Sequence, residues 1–229
     1  LCGILNLSFG LHTRPYVLIM PKVSLAEFVA AAQAGDLVSF PTDTVPALAC
    51  RPDRSEHIFH LKRRSQTKPL ILMAANWADL MPYLDGTPED FATWETLVSQ
   101  HWPGALTLVL PATERVPGAM NPQQTGTIGV RVPDHPLARY LLERTGPLAT
   151  TSVNRSGQPP LETMADIAAT FPQIFILSRD ALGNVYPLLA GTKPPADNKP
   201  QGSGLPSTVV RWHQQGWEVL RQGSVNLEA

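Results

Sequence analysis

Short apolar runs separated by capped helical segments constrain this chain more than any other feature. Leu70-Ile71-Leu72-Met73 has no polar residue to turn towards water. A strand there needs cover on both faces, as in an α/β sheet. The segments around it carry the complementary period. Ser24 and Glu27 predict a capping box, Leu25, Phe28, Val29 and Ala32 recur at helical spacing, and Gly35 ends the helix. A strand is predicted over residues 37–41. Asp53 and Glu56 suggest a second capped start, with Ile58, Phe59 and Leu61 as its apolar stripe. Helical stretches are predicted near residues 77–84 and 89–101, then strands over 106–110 and 127–132. A helix over 136–144 leads to a strand over 148–151, and a helix over 163–170 to a strand over 174–177. Two strands close the chain, near residues 208–212 and 217–221. Such alternation predicts an α/β fold, and the closing pair makes the sheet mixed. Between Gly183 and Pro206 the chain is rich in Gly, Pro, Asn and Lys without periodicity. A stretch of that length reads as a functional, mobile flap within one domain.

Composition narrows the function classes. The 229 residues carry a net charge of −1. That argues against a module whose whole surface grips nucleic acid, while leaving room for a local basic patch. The only cysteines, Cys2 and Cys50, form no CxxC pair and no zinc spacing, so a reducing, cytoplasmic setting is expected. No apolar run approaches the roughly 20 residues that span a bilayer, and no membrane association is expected. Residues 1–19 hold an apolar stretch followed by Arg14, the reverse of a signal peptide's order. They read as an N-terminal extension before a natural start at Met20, with one domain over residues 20–229.

Four predicted strand ends carry small polar groups where a core would need apolar ones: Thr42 and Thr44; Thr127 and Arg131 with Gly129 between; Thr150, Ser152 and Asn154; and Ser207. Residues two apart share a face in extended chain. Any one of these sites alone reads as an ordinary cap or turn. Four together fit a compact ligand bound beyond the strand ends of an open sheet. Lys62, Arg63, Arg64 and Lys68 place four cations within seven residues. A helix C-terminus explains one or two of them. Lys62 and Arg64 cannot share a helix face, so the helix is expected to end near Leu61 if both meet one ligand. Arg offers phosphate a planar fork and Lys a point charge. The sequence has no Walker A loop, GxGxxG, HExxH or GxSxG elbow, and His57 and His60 read as surface or half-buried residues. No protein metal site is expected.

At these same residues the chain resembles the YrdC-type threonylcarbamoyl-AMP synthases. Lys62-Arg63-Arg64 is similar to that family's KxR motif and Ser152-Val153-Asn154 to its SxN motif. Phe40–Thr44, Trp102–Thr107, Thr127–Pro133, Pro206–Val210 and Leu220–Gly223 match its surrounding segments, so the resemblance runs from about Val23 to Val225. It implies a single YrdC-like domain, a twisted mixed β-sheet flanked by helices with a concave positive face. The activity implied is ATP-dependent synthesis of L-threonylcarbamoyl-AMP from L-threonine and bicarbonate or CO2, releasing pyrophosphate, for threonylcarbamoyladenosine in tRNA. Lys62 and Arg64 would be catalytic. Lys62, Arg64, Lys68, Thr127, Ser152, Asn154 and Arg221 would hold the nucleotide. Thr44, Arg131, Thr150 and Ser207 would surround L-threonine, with Arg131 on its carboxylate. Mg²⁺ would accompany ATP, and the product would pass to a tRNA-modifying transferase complex. One departure stands out: Val45-Pro46-Ala47 replaces the family's usual Val-Tyr-Gly, changing the shape beside the amino-acid pocket. The alternatives are a double-stranded RNA or tRNA-binding module without chemistry, and a diverged YrdC-like paralogue with another substrate.

Overall fold

The computed structural model describes residues 22–63, 65, 69–189, 193–213 and 216–227. The expected start at Met20, Arg64 and Lys68 lie outside the described residues. Ten strands and six α-helices alternate among them: β1 (Lys22–Val23), α1 (Leu25–Ala34), β2 (Val38–Phe40), β3 (Ala47–Cys50), α2 (Glu56–Lys62), β4 (Ile71–Met73), α3 (Pro88–His101), β5 (Leu106–Pro111), β6 (Thr127–Arg131), α4 (Pro136–Thr145), β7 (Leu148–Ser152), α5 (Met164–Thr170), β8 (Ile176–Leu177), α6 (Arg179–Val185), β9 (Thr208–His213) and β10 (Gly216–Arg221). Eight strands form one mixed sheet in the order β10-β9-β5-β6-β4-β7-β3-β2. The pairs β4–β6 and β5–β9 are parallel and the others antiparallel. β1 and β8 make a small parallel pair beside β2.

Local chemistry explains most of these elements. Ser24 and Glu27 form the predicted capping box, and Gly35 closes α1 in the left-handed region at φ 92°. Thr87 and Asp90 make an equivalent box for α3. Three expectations change. Asp53 does not cap α2, because both its oxygens are held by the Arg51 guanidinium at 2.6 and 2.9 Å. The stretch near residues 77–84 is turns with a single 3-10 turn at Met81–Tyr83, since Pro82 has no N–H for an α-helical ladder. The aperiodic stretch after Gly183 begins inside α6 and a 3-10 turn at Tyr186–Leu188. Its later part is pinned: the Gln201 N–H donates to Glu162 O, Ser203 N–H to Asp43 O and Gly204 N–H to Thr44 O. Two strands, β1 and β3, are absent from the sequence reading; β1 has only two residues, and the four small or apolar residues of β3 are all buried and show no alternation.

The two sheet faces are covered unequally, and this positions the site. On one face, Leu48, Leu72, Leu106, Leu108, Leu110, Ile128, Val130, Ala149 and Val210 pack in a single core with Ile58, Phe59, Trp94 and Ile167 of the helices. On the other, Phe28, Leu137, Leu141, Leu142, Ala181 and Val185 cover Val38, Phe40, Ala47, Ala49, Met73 and Leu148. That second core reaches only β2, β3, β7 and part of β4. Farther along the same face stand Ile71, Val109 and Val209, each only half-buried, while their sequence neighbours Leu72, Leu108 and Val210 are fully buried. A stripe of this face is therefore open.

Candidate active site

Pairing register places most of the expected residues along this open stripe. Thr150 pairs with Ile71, and Ile71 with Gly129, so three neighbouring strands present Thr, Ile and Gly side by side. A Cβ at Gly129 would come within 3.4 Å of Ile71 and 3.6 Å of Thr107, so a side chain there would crowd these two neighbours. Met73 pairs with both Leu148 and Arg131. The Cα of Arg131 is therefore level with Leu148, about 13 Å along the strand direction from Ser152 at roughly 3.3 Å per residue. The polar groups fall into two hydrogen-bonded clusters; the Arg131 side chain reaches the Thr42–Thr44 turn, which leaves β2 level with Ser152.

The first cluster is built where α2 meets the end of β7. α2 ends at Lys62, and Arg63 turns out of the helix at φ 48°, as the cation spacing requires. Lys62 is buried, 2% exposed. Its ammonium donates to Ser152 O and, at 2.5 Å, to Asn154 Oδ1. Ser152 Oγ donates to the same Asn154 oxygen at 2.9 Å, and the Asn154 amide donates to Gln158 O at 2.5 Å. The KxR lysine and the SxN motif, 90 residues apart in the chain, thus form one hydrogen-bonded unit. Thr127 begins β6 at the same end of the stripe; its hydroxyl is 3.0 Å from that of Thr125. Asn121 braces this corner, donating to Thr125 Oγ1 and Thr127 O.

The second cluster centres on Arg131. Its guanidinium donates to Asp43 Oδ1 at 2.7 Å, Thr44 Oγ1 at 2.9 Å and Gly104 O at 3.0 Å. Thr44 Oγ1 lies 3.1 Å from Thr42 Oγ1, and Thr42 donates onward to Val45 O. Burial pushes the Arg131 pKa down, while the Asp43 carboxylate pushes it back up; an arginine remains charged through such a shift. Ser207, also buried, has its hydroxyl 2.9 Å from that of Thr107 and accepts from Arg221 Nη2 at 3.2 Å. Arg221 further donates twice to Ser207 O. The residue as a whole is exposed, yet its guanidinium is shielded: burial lowers its pKa, and repulsion from Arg131 lowers it further. Two guanidiniums close enough to repel each other make a site for anionic groups.

Thr44 and Arg131 are thereby joined in one cluster, with Ser207 and Arg221 near Arg131, and Lys62, Ser152 and Asn154 in another; Thr150 donates to Ile71 O. Arg221, expected beside the nucleotide, stands with Ser207 and Arg131. Arg64 and Lys68 lie outside the described residues. Sequence reasoning overlooked Asp43, Thr107 and His135. Asp43 sits inside the Thr-Asp-Thr turn that drew notice for its threonines. Thr107 is the second residue of β5, a small polar group near a strand end like the others. The His135 imidazole caps α4 by accepting from Ala138 N–H, and burial holds its pKa below the usual value against the raising pull of Asp43 and then Asp134. A small enclosed cavity of about 20 Å³ lies elsewhere, lined by Ser39, Leu137 and Tyr186 among others. It holds about one water; a shallow groove of about 410 Å³ lies against α3, lined by Thr93, Thr96, Gln100 and Trp217 among others.

The sequence model of the Sua5/YciO/YrdC family, described as telomere recombination, matches residues 30–184. The chain is 36% identical over 163 residues to the threonylcarbamoyl-AMP synthase of Chromohalobacter salexigens, covering 69% of this chain and 86% of that one. It is 34% identical over 174 residues to the enzyme of the same name from Yersinia enterocolitica, covering 74% and 85%. Among solved structures it is similar to Sua5 of P. abyssi complexed with L-threonine, at 29% identity and a TM-score of 0.71. That match covers 88% of this chain but only 55% of the Sua5 chain, so the present chain spans little more than half of that relative. The fold is shared with YciO of E. coli, at 22% identity and a TM-score of 0.69.

Proposed function

The chain belongs to the Sua5/YciO/YrdC family, and from that premise we propose that it synthesises L-threonylcarbamoyl-AMP from L-threonine, bicarbonate or CO2, and ATP. The observation that carries this reading is the division of the open face into two clusters. The cluster of Lys62 with Ser152 and Asn154 suits a phosphate-bearing ligand. The cluster of Arg131 with Thr44, and Ser207 beside it, suits a carboxylate. The name of the P. abyssi complex with L-threonine supports an amino acid as that carboxylate's bearer.

In this reading the amine of threonine captures CO2 as a carbamate. A carbamate oxygen attacks the α-phosphorus, the bond to the leaving oxygen breaks, and pyrophosphate departs. The protein contributes position and charge, as in other phosphoryl transfers. Lys62 is held by Ser152 O and Asn154 Oδ1 in a fixed place, so its charge meets the developing phosphate charge without reorganisation. Thr127 and, beyond the described residues, Arg64 and Lys68 would complete the nucleotide site. Arg131, Thr44, Thr150 and Ser207 would hold threonine, with Arg221 beside them. No cluster of three His, Cys, Asp or Glu residues among the described residues could hold a metal. A Mg²⁺ would therefore be carried on the phosphate oxygens and water, neutralising their charge. A tRNA-modifying transferase complex in the cytoplasm would consume the product. No helix among the described residues is long and apolar enough to cross a membrane.

Pyrophosphate release measured with ATP, L-threonine and bicarbonate, each omitted in turn, tests the reading. Release that needs all three supports it. Release that needs another amino acid would move the specificity to the Val45-Pro46-Ala47 segment. No release would overturn it.

A further inference from the structure

We propose that Asp43 is the amine anchor of the amino-acid site, so that the Asp43–Arg131 pair selects a zwitterion over a plain carboxylate or a phosphate. This rests on the synthase reading and specifies its substrate recognition.

The pair is buried and close: Asp43 Oδ1 accepts from Arg131 Nη2 at 2.7 Å, with the side chains 15% and 5% exposed. Its net charge is zero. A lone buried guanidinium would draw any anion, the ATP phosphates included. Asp43 offsets the field of Arg131, while Arg221 stands near enough to add to it, and the carboxylate repels a phosphate placed against it. An α-amino acid is the complementary guest: it too is net neutral, and its two charges sit at the ends of one carbon–carbon bond. Arg131 uses three of its N–H groups on Asp43, Thr44 and Gly104. Of the five that a guanidinium has, two are left for a carboxylate. Asp43 uses Oδ1 on Arg131, and Oδ2 accepts no hydrogen bond among the described residues. A cation donor and an anion acceptor therefore lie side by side, each with capacity to spare.

The backbone keeps Asp43 in that place. Ser203 N–H donates to Asp43 O, Gly204 N–H to Thr44 O, and Thr44 N–H to Thr42 Oγ1. The carboxylate can accept from the nitrogen as ammonium, as free amine and, after CO2 is captured, as carbamate N–H. Asp43 thus orients the nitrogen throughout and acts as a positioning residue.

Calorimetry on the full chain tests this, with L-threonine and its α-hydroxy analogue, 2,3-dihydroxybutanoate. The wild-type protein is expected to favour threonine by at least about tenfold. Asp43→Asn should weaken threonine by about that factor and leave the hydroxy acid unweakened, so the preference collapses. The KM for ATP should stay within about twofold, and Asp43→Glu should restore part of the preference. An Asn variant that keeps the preference overturns the proposal, as does a wild-type protein that binds both ligands equally. If melting shows the Asn variant unfolded, the wild-type pair and the Glu variant still decide: a folded Glu variant without preference for threonine counts against it. Wild-type pyrophosphate release that depends on threonine, with an unaltered preference in Asp43→Asn, sinks this inference alone. Absence of that release in the wild type sinks the synthase reading instead.

Discussion

Single side chains in this protein do their work by being held. Lys62 is a buried cation whose partners, Ser152 O and Asn154 Oδ1, come from the end of a strand 90 residues away. Lys62→Ala is expected to slow pyrophosphate release by about 100-fold or more, the scale of losing one preorganised charge donor. It also leaves two acceptors without their cation, at a cost of about 1–3 kcal/mol; urea unfolding and the release assay read the two effects separately. His135 behaves differently. Burial holds its folded pKa below the ordinary value, whereas the unfolded chain takes its proton near ~6.5. Its contribution to stability is therefore complete above that pH and is lost as pH falls through the folded value. Thermal melts should be level from pH 7 to 8 and decline below about 6.5, with a shallower decline in His135→Gln.

Elements bring these residues together through short, specific contacts. The segment before β9 is fastened to the Thr42–Thr44 turn, and Gly202 is what allows it. At φ +83°, a Cβ there would sit 2.4 Å from Thr44 O and 2.5 Å from Thr42 O, backbone atoms that cannot step aside. Gly204 shares the left-handed conformation, but its Cβ would meet only the Glu162 side chain, at 3.4 Å. Gly202→Ala is therefore expected to raise the KM for threonine and speed proteolytic cleavage after residue 193, and Gly204→Ala to do much less of either. Limited proteolysis with threonine titration checks both. At this scale the sequence is a fair guide wherever local chemistry decides. The capping boxes at Ser24 and Thr87 need only residues three apart. It misleads where a neighbour competes, as when Arg51 takes the carboxylate that would cap α2.

For the whole molecule, the decisive feature is a sheet covered on one face from β3 to β9 and only partly on the other. The less covered stripe runs past the half-buried Ile71, Val109 and Val209. Ligands that bind there bind the folded chain alone, so each should stabilise it by mass action. ATP or L-threonine at 100 times its Kd is expected to add about 2.7 kcal/mol, seen as a rise in melting temperature. Lys62→Ala should blunt the rise with ATP and Arg131→Ala the rise with threonine. Equal loss of both responses in both variants would contradict the two-cluster site.

The α/β class, the order of most strands and helices, and the residue types at the strand ends were set by the sequence itself. Periodicity, caps and turn chemistry act over a few residues, and those signals survive in a one-dimensional reading. The KxR and SxN motifs came from resemblance to the family, and the cation cluster and polar strand ends from local residue types. Only the tertiary structure decided which of them meet. It alone showed that β3 completes the sheet and that Arg221 stands over Ser207 and near Arg131. It alone placed Asp43, overlooked between two threonines, in a buried pair with Arg131. Burial and charge pairing depend on neighbours tens of residues away, so they exist only once the strands have taken their register.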